Sequence, residues 1–146
     1  MDIIAKTKRI LIIYDYFSPS FKAGGPTQSI INLVTQLHHI YDFEIVCSAY
    51  EFNPKEGLQG VKVNEWNNWR NLCPVFYLDS KFSDIKRLRE VFQESKSDVV
   101  FVNGVYSLFY NILPILFFNR QPVIVSARGM LKPEALQQKA FKKKVF

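Results

Sequence analysis

Cysteine and histidine are scarce in this 146-residue chain, with two of each. Cys47 and Cys73 lie far apart, without a C-x-x-C pattern and among apolar neighbours. They read as reduced, inert thiols rather than as a disulfide or zinc site. His38 and His39 are adjacent at a helix end, with no Cys, Asp or Glu at ligand spacing, so no metal is expected. No Ser–His–Asp set and no pair of carboxylates suited to acid–base work can be assembled. The glycines form no G-x-G-x-x-G, and no P-loop lysine follows them. Zinc spacing, an RNP-like strand and a basic recognition helix are all lacking, which argues against nucleic acid as a partner. The first residues are charged, and the apolar run at 10–14 is too short for the core of a signal peptide.

What is abundant is apolar. Hydrophobic residues make up 48% of the chain and include 13 Phe, enough for a real core in one domain of ordinary size. The formal charge of +6 is concentrated at the ends, in Lys6, Lys8 and Arg9 and in Lys139, Lys142, Lys143 and Lys144. Such a balance favours phosphorylated ligands or an anionic membrane. Residues 99–118 carry no charge and are nominally long enough to span a bilayer. Asn103, Gly104, Asn111 and Pro114 interrupt them, so a strand, a turn and a short helix are the better account, with a membrane-anchored chain as the rival.

The runs RILIIY (9–14), FEIVCS (43–48), VVFV (99–102) and PVIV (122–125) are continuous rather than alternating. Strands buried on both faces read this way. Shorter strands are expected at 61–64 and 75–78. Between them lie helical stripes: Ile30, Leu33, Val34 and Leu37, capped by Thr27; Ile85, Leu88 and Phe92, capped by Ser83 with Asp84 in the first turn; and a helix from about Ser107 to Phe118. A last helix opens at Pro133 and runs to Phe146 without a stop signal. This alternation predicts an α/β, Rossmann-like, mostly parallel sheet with helices on both faces.

In such sheets ligands bind beyond the carboxyl ends of the strands, where strand order reverses. Three loops qualify. The first carries Asp15, Tyr16 and then Gly24–Gly25 before a helix, either a phosphate cradle or a plain turn. The second begins at Asn103–Gly104, where Asn103 orients a sugar hydroxyl or the pair simply makes a tight turn. The third holds Ser126, Arg128 and Gly129; Arg128 either pairs with a phosphate or closes its loop by a salt bridge.

Three segments carry a family resemblance. ILIIYDYFSPSFKAGGPTQSIINLVTQL (10–37), SDVVFVNGVYS (97–107) and VIVSARGMLKPEALQQKAFKKKVF (123–146) resemble, in order, the N-terminal half of the retaining GT-B glycosyltransferases of group 1, or family four. The third segment, resembling P-R/H-G-M-L-x-P-x-A-L, is the most specific. The resemblance implies that residues 1–146 form the acceptor-side domain of a two-domain enzyme. Such an enzyme transfers a sugar from a nucleotide-sugar to a polysaccharide or lipid-linked glycan during cell-envelope or exopolysaccharide synthesis. By the same resemblance, Gly24, Gly25 and Arg128 lie near the donor diphosphate, and Asn103 has a positioning role where many relatives carry His; Asp15, Tyr16 and Ser126, in the strand-end loops, are the acceptor-side candidates. The nucleotide-sugar is substrate; no cofactor and no metal are implied.

A C-terminal GT-B domain with a paired-glutamate motif is implied beyond these residues, and the 146 residues alone are expected to be inactive. The expected location is the cytoplasm, with peripheral contact between the Lys-rich 139–144 segment and the inner face of an anionic plasma membrane. The rival reading is a non-catalytic Rossmann-like module whose Phe-rich surface docks on a partner.

Overall fold

A computed structural model describes residues 7–52, 56–79, 85–118 and 120–134. Six strands form one sheet in the order β3-β4-β2-β1-β5-β6. The centre is β1 (Lys8–Ile13), flanked by β2 (Tyr41–Ser48) and β5 (Val99–Asn103), both parallel to it. Strand β4 (Cys73–Leu78) lies parallel to β2, and β6 (Val123–Ser126) parallel to β5. Only β3 (Trp66–Trp69) runs antiparallel, on β4. The expected mostly parallel, Rossmann-like α/β sheet is therefore present.

Register explains why the aliphatic runs are continuous. Ile12, Ile45 and Val75 stand in line across three strands, as do Ile13, Val46 and Phe76 one residue on. The first row faces helix α1 (Gly25–Leu37), burying Ile30 and Val34. The second faces α2 (Ile85–Glu94) through Leu88, Val91 and Phe92, together with Tyr110 and Phe118 from the α3 region. Successive residues of the central strands thus face opposite helix layers, and two separate apolar layers result. Cys47 and Cys73 are both buried in the α1 layer.

Four local expectations need correction. Residues 61–64 form no strand, because Asn64 turns the chain with a left-handed backbone (φ 58°). The ladder is made instead by Trp66–Trp69, returned by a tight turn in which Arg70 and Asn71 both have positive φ (51° and 56°) and the Leu72 amide donates to the Trp69 carbonyl at 2.9 Å. That is the turn whose twist matches a hairpin. Thr27 does not cap α1. The helix starts earlier, with Gly24 as cap residue and Pro26 in the first turn, and the Thr27 hydroxyl donates to the Tyr16 carbonyl at 3.3 Å.

The helix expected from Ser107 begins as a π-helical turn (Leu108–Ile112) and becomes α-helical only in α3 (Leu113–Phe117). Pro114, which cannot donate to Tyr110, falls where that register changes. Ser107 does cap it, accepting from the Tyr110 amide at 3.3 Å. Finally, β6 is not fully buried: Ile124 is 54% and Val125 42% exposed, because β5 flanks it on one side only. The uncharged stretch 99–118 does divide into strand, turn and short helix, and no described helix is long and apolar enough to cross a membrane. The Ser83 cap, Asp84 and the helix expected beyond Glu134 lie outside the described residues.

Candidate functional site

Chain order runs outward from β1 to β2 on one side and to β5 and β6 on the other, so it reverses between β1 and β5. The crevice beyond their carboxyl ends is where a doubly wound sheet accepts a ligand. Asn103 ends β5 and Ser126 ends β6, and the two are paired in register. The Gly104 amide donates to the Ser126 carbonyl at 2.9 Å, extending the ladder by one bond.

Beyond it the chain turns sharply through Arg128 (φ 46°) and Gly129 (φ 73°). The turn is closed by the Met130 amide on the Ala127 carbonyl (2.8 Å) and the Lys132 amide on the Gly129 carbonyl (3.1 Å). Tyr106, in the β5 loop, donates its hydroxyl to the Met130 carbonyl at 3.0 Å and ties the two loops together. A left-handed backbone at a non-glycine residue costs about 1–3 kcal/mol and persists where its surroundings over-determine it. Here the fold aims the Arg128 side chain back over β5, where its Nε donates to the Asn103 Oδ1.

The salt-bridge alternative for Arg128 is therefore replaced by a neutral partner. Among the described residues Arg128 makes no ion pair, and its residue is exposed. Nε fixes the guanidinium plane and leaves the terminal N–H groups for a ligand. Asn103 is fully buried, and its Nδ2 has no hydrogen-bond partner among the described residues. An orphaned buried donor costs about 1–3 kcal/mol, and flipping the amide would aim N–H groups at the guanidinium. Asn111, also buried, braces this corner: its Oδ1 accepts from the Ser107 amide at 2.8 Å, and its Nδ2 donates to the Asn103 carbonyl at 3.4 Å.

Gly104 has φ +118°, and a Cβ there would lie 3.0 Å from the Asn111 Oδ1. Gly104→Ala is expected to lower stability by about 1–3 kcal/mol, read as a drop in the urea midpoint. Gly60→Ala, also left-handed at φ +75° but with open space around the new Cβ, is expected to cost less.

On the other side of the crevice the chain leaves β1 through Tyr14, Asp15 and Tyr16. Burial, with the Asp15 charge next, pushes the Tyr14 hydroxyl up to about 12, against a smaller opposing pull from Arg128. Burial and Asp15 likewise raise Tyr16. Both are protonated donors at neutral pH. The Asp15 carbonyl accepts from the Ser48 amide at 2.9 Å, holding this loop to the end of β2.

Gly24 has φ 70° and ψ −138°, a conformation for glycine alone, and Gly24 and Gly25 are exposed at the start of α1. The helix offers its free amides there, less one because Pro26 has none. Asn103, Ser126 and Arg128 are thus brought into one cluster, and Tyr16 reaches the glycine loop through Thr27. No hydrogen bond between described residues joins Gly24 or Gly25 to Asn103 or Arg128.

One residue that organises the site was not apparent in the sequence. Glu51 accepts from the Ser20 hydroxyl (2.6 Å) and from the amides of Phe21 (3.2 Å), Lys22 (3.3 Å) and Phe52 (2.9 Å). Desolvation pushes its carboxyl up, but these hydrogen bonds outweigh it and hold it below the ordinary glutamate range. A depressed folded value means that the loop gains from Glu51 above the unfolded pKa of about 4.3. That gain disappears as pH falls through the folded value. Amide exchange at Phe21, Lys22 and Phe52 is therefore expected to lose protection below that point, and to be unprotected at neutral pH in Glu51→Ala, which removes both acceptor oxygens.

No family model matches the chain, and no match was found among curated proteins. The described residues contain no group of three or more His, Cys, Asp or Glu able to hold a metal. His38 and His39 pack edge to face at 5.8 Å, with the His38 Nδ1 2.9 Å from the Thr35 carbonyl.

Proposed function

We propose that this chain is the acceptor-side domain of a retaining glycosyltransferase that uses a nucleotide-sugar donor and a glycan or lipid-linked acceptor. The observation that carries the reading is the Asn103–Arg128 pair at the switch point. It is a guanidinium fixed through Nε by a fully buried amide, with terminal N–H groups that have no partner among the described residues. A planar cationic fork held in a fixed orientation at the strand ends suits a diphosphate. The Gly24–Gly25 loop at the start of α1 adds backbone amides for the same anion. The sequence resemblance supplies the reaction class.

In this reading Arg128 neutralises charge on the leaving diphosphate, which needs no proton transfer from the protein. Asn103, fully buried, acts as a positioning residue by holding the Arg128 guanidinium, and the protonated hydroxyls of Tyr14 and Tyr16 donate to the acceptor side. Asp15 is the carboxylate that the β1 loop brings to this crevice, where its charge acts on Tyr14 and Tyr16; the remaining rate enhancement rests on positioning and electrostatics. The test is turnover of a panel of nucleotide-sugars by the complete protein, including any coding sequence that follows Phe146. Release of nucleoside diphosphate with one donor supports the reading, and its absence with every donor would sink it.

A second reading, a non-catalytic module that docks on a partner, is favoured by one observation. Ile124, Val125 and Leu131 leave apolar surface at the β6 end of the sheet, with Leu131 59% exposed. A stable complex through that surface, with no effect of nucleotide-sugars on the protein, would favour it.

A further inference from the structure

The loop between β1 and α1 is anchored differently along its length. Its first part is held by the core. Phe17 is fully buried against Trp69, with ring centres 4.9 Å apart, and the Ser18 carbonyl accepts from the Tyr77 hydroxyl at 2.6 Å. Further on, Phe21, Lys22, Gly24 and Gly25 are all exposed. Among the described residues, every hydrogen bond that ties 20–24 to a distant part of the chain ends on the Glu51 carboxylate.

Its two oxygens divide the donors unequally. Oε1 accepts from the Ser20 hydroxyl and from the Lys22 and Phe52 amides, whereas Oε2 accepts from the Phe21 amide alone. Phe21 is the link to the helix. Its carbonyl accepts from the Gly24 amide at 3.2 Å, and the Gly24 carbonyl accepts from the Gln28 amide at 3.3 Å, closing the first turn of α1. The Gly25 amide, at the first position of α1, has no hydrogen-bond partner among the described residues.

Glu51 itself stands on a fixed backbone. Its amide donates to the Glu56 carbonyl at 2.7 Å, Tyr50 bridges to Gly57, and the Tyr50 hydroxyl donates to the Asp79 Oδ1 at 2.7 Å. Hydrogen bonds to an ionised carboxylate are about twice as strong as neutral ones, so this one side chain can order a loop that the core does not reach.

We propose that Glu51 is a positioning residue for diphosphate binding: acting through Phe21 and Gly24, it holds the glycine loop so that the Gly25 amide is presented to the anion. The proposal rests on the transferase reading and adds to it a residue that does not touch the substrate. A loop released from Glu51 must be ordered as the ligand binds. If it keeps the binding arrangement about a tenth of the time, apparent affinity falls about tenfold. Arg128 enters the crevice from the β6 side and shares no hydrogen bond with Glu51, so its own contribution survives.

The test titrates the full chain with inorganic diphosphate, read by amide chemical shifts, in wild type, Glu51→Ala and Glu51→Gln. In Glu51→Ala the apparent Kd is expected to rise about tenfold, while Arg128 and Gly129 still shift at saturation. Glu51→Gln keeps one acceptor oxygen, enough for Ser20, Lys22 and Phe52 but not for Phe21, and is expected to lose about threefold. In the complete protein, KM for the nucleotide-sugar should rise about tenfold in Glu51→Ala while kcat falls less than about threefold. A merely structural role would instead lower the active fraction, and with it kcat at constant KM.

An unchanged Kd in Glu51→Ala, with Gly25 shifting as in wild type, overturns the proposal and leaves the transferase reading standing. Tighter diphosphate binding overturns it as well, since the carboxylate would then be filling the anion site rather than building it. No shift at Gly25 or Arg128 in wild type, with diphosphate or with any nucleotide-sugar, overturns both.

Discussion

On the proposed transferase reading, Arg128→Ala is expected to lower turnover of the complete protein by about 10²–10³-fold, the usual effect of removing one preorganised donor from a developing anion. The side chain is held by its Nε on the Asn103 Oδ1 and by a left-handed backbone that the rest of the turn enforces. Its orientation is thus set before any ligand arrives. Truncation removes the terminal donors and also strips the Asn103 Oδ1 of its donor, leaving a fully buried amide with no side-chain partner among the described residues. A stability loss of about 1–2 kcal/mol should accompany the catalytic one.

Arg128→Lys keeps the charge but not the fork, so it should fall between wild type and alanine in kcat and leave Asn103 poorly held. Steady-state kinetics with urea melts on the same variants separate the two effects. A variant that melts like the alanine form yet turns over like wild type would remove Arg128 from the site.

Phe76→Ala is the largest stability change expected, about 3–5 kcal/mol. Phe76 is fully buried at the centre of the α2 layer, with the Trp66 ring edge to face at 5.3 Å and the Arg87 guanidinium 5.3 Å from its ring centre. Three elements lose a contact at once: β3 through Trp66, α2 through Arg87 and Leu88, and β4 itself. Parallel strands packed on both faces collapse poorly around a hole, which favours the upper part of that range. Since domains of this size are stable by about 5–15 kcal/mol, the variant should unfold far below the wild-type midpoint. Phe52→Ala is the control. Phe52 is 51% exposed, so its loss should cost well under half as much, read by the same thermal melt.

How much of this could be read from the chain follows from what each feature depends on. The buried strands announce themselves because helices cover both faces, so β1 and β5 read as unbroken aliphatic runs. The three site loops were legible for the same reason, since a strand's end is visible wherever such a run stops. That Asn103 and Arg128 touch was not legible. They are 25 residues apart, and only the placement of β5 beside β6 in parallel register brings them together.

The missed strand Trp66–Trp69 carries two asparagines and turns on Arg70–Asn71 rather than on a glycine, so neither hydrophobic pattern nor turn chemistry marked it. The exposure of Ile124 and Val125 belongs to strand order, which no local pattern encodes. Glu51 is one carboxylate in an irregular segment, and its four hydrogen bonds exist only because two loops meet there.

The central claim is that the crevice at the ends of β1, β5 and β6 receives a nucleotide-sugar. Amide chemical-shift mapping of the chain during titration with nucleoside-diphosphate sugars tests it most directly, even where binding is weak. The account predicts that shifts concentrate at Gly24, Gly25, Gly104, Arg128, Gly129 and the Asn103 side-chain amide, and that Arg128→Ala removes them. Shifts confined to other surfaces, or none with any donor at concentrations that saturate weak sites, would contradict it.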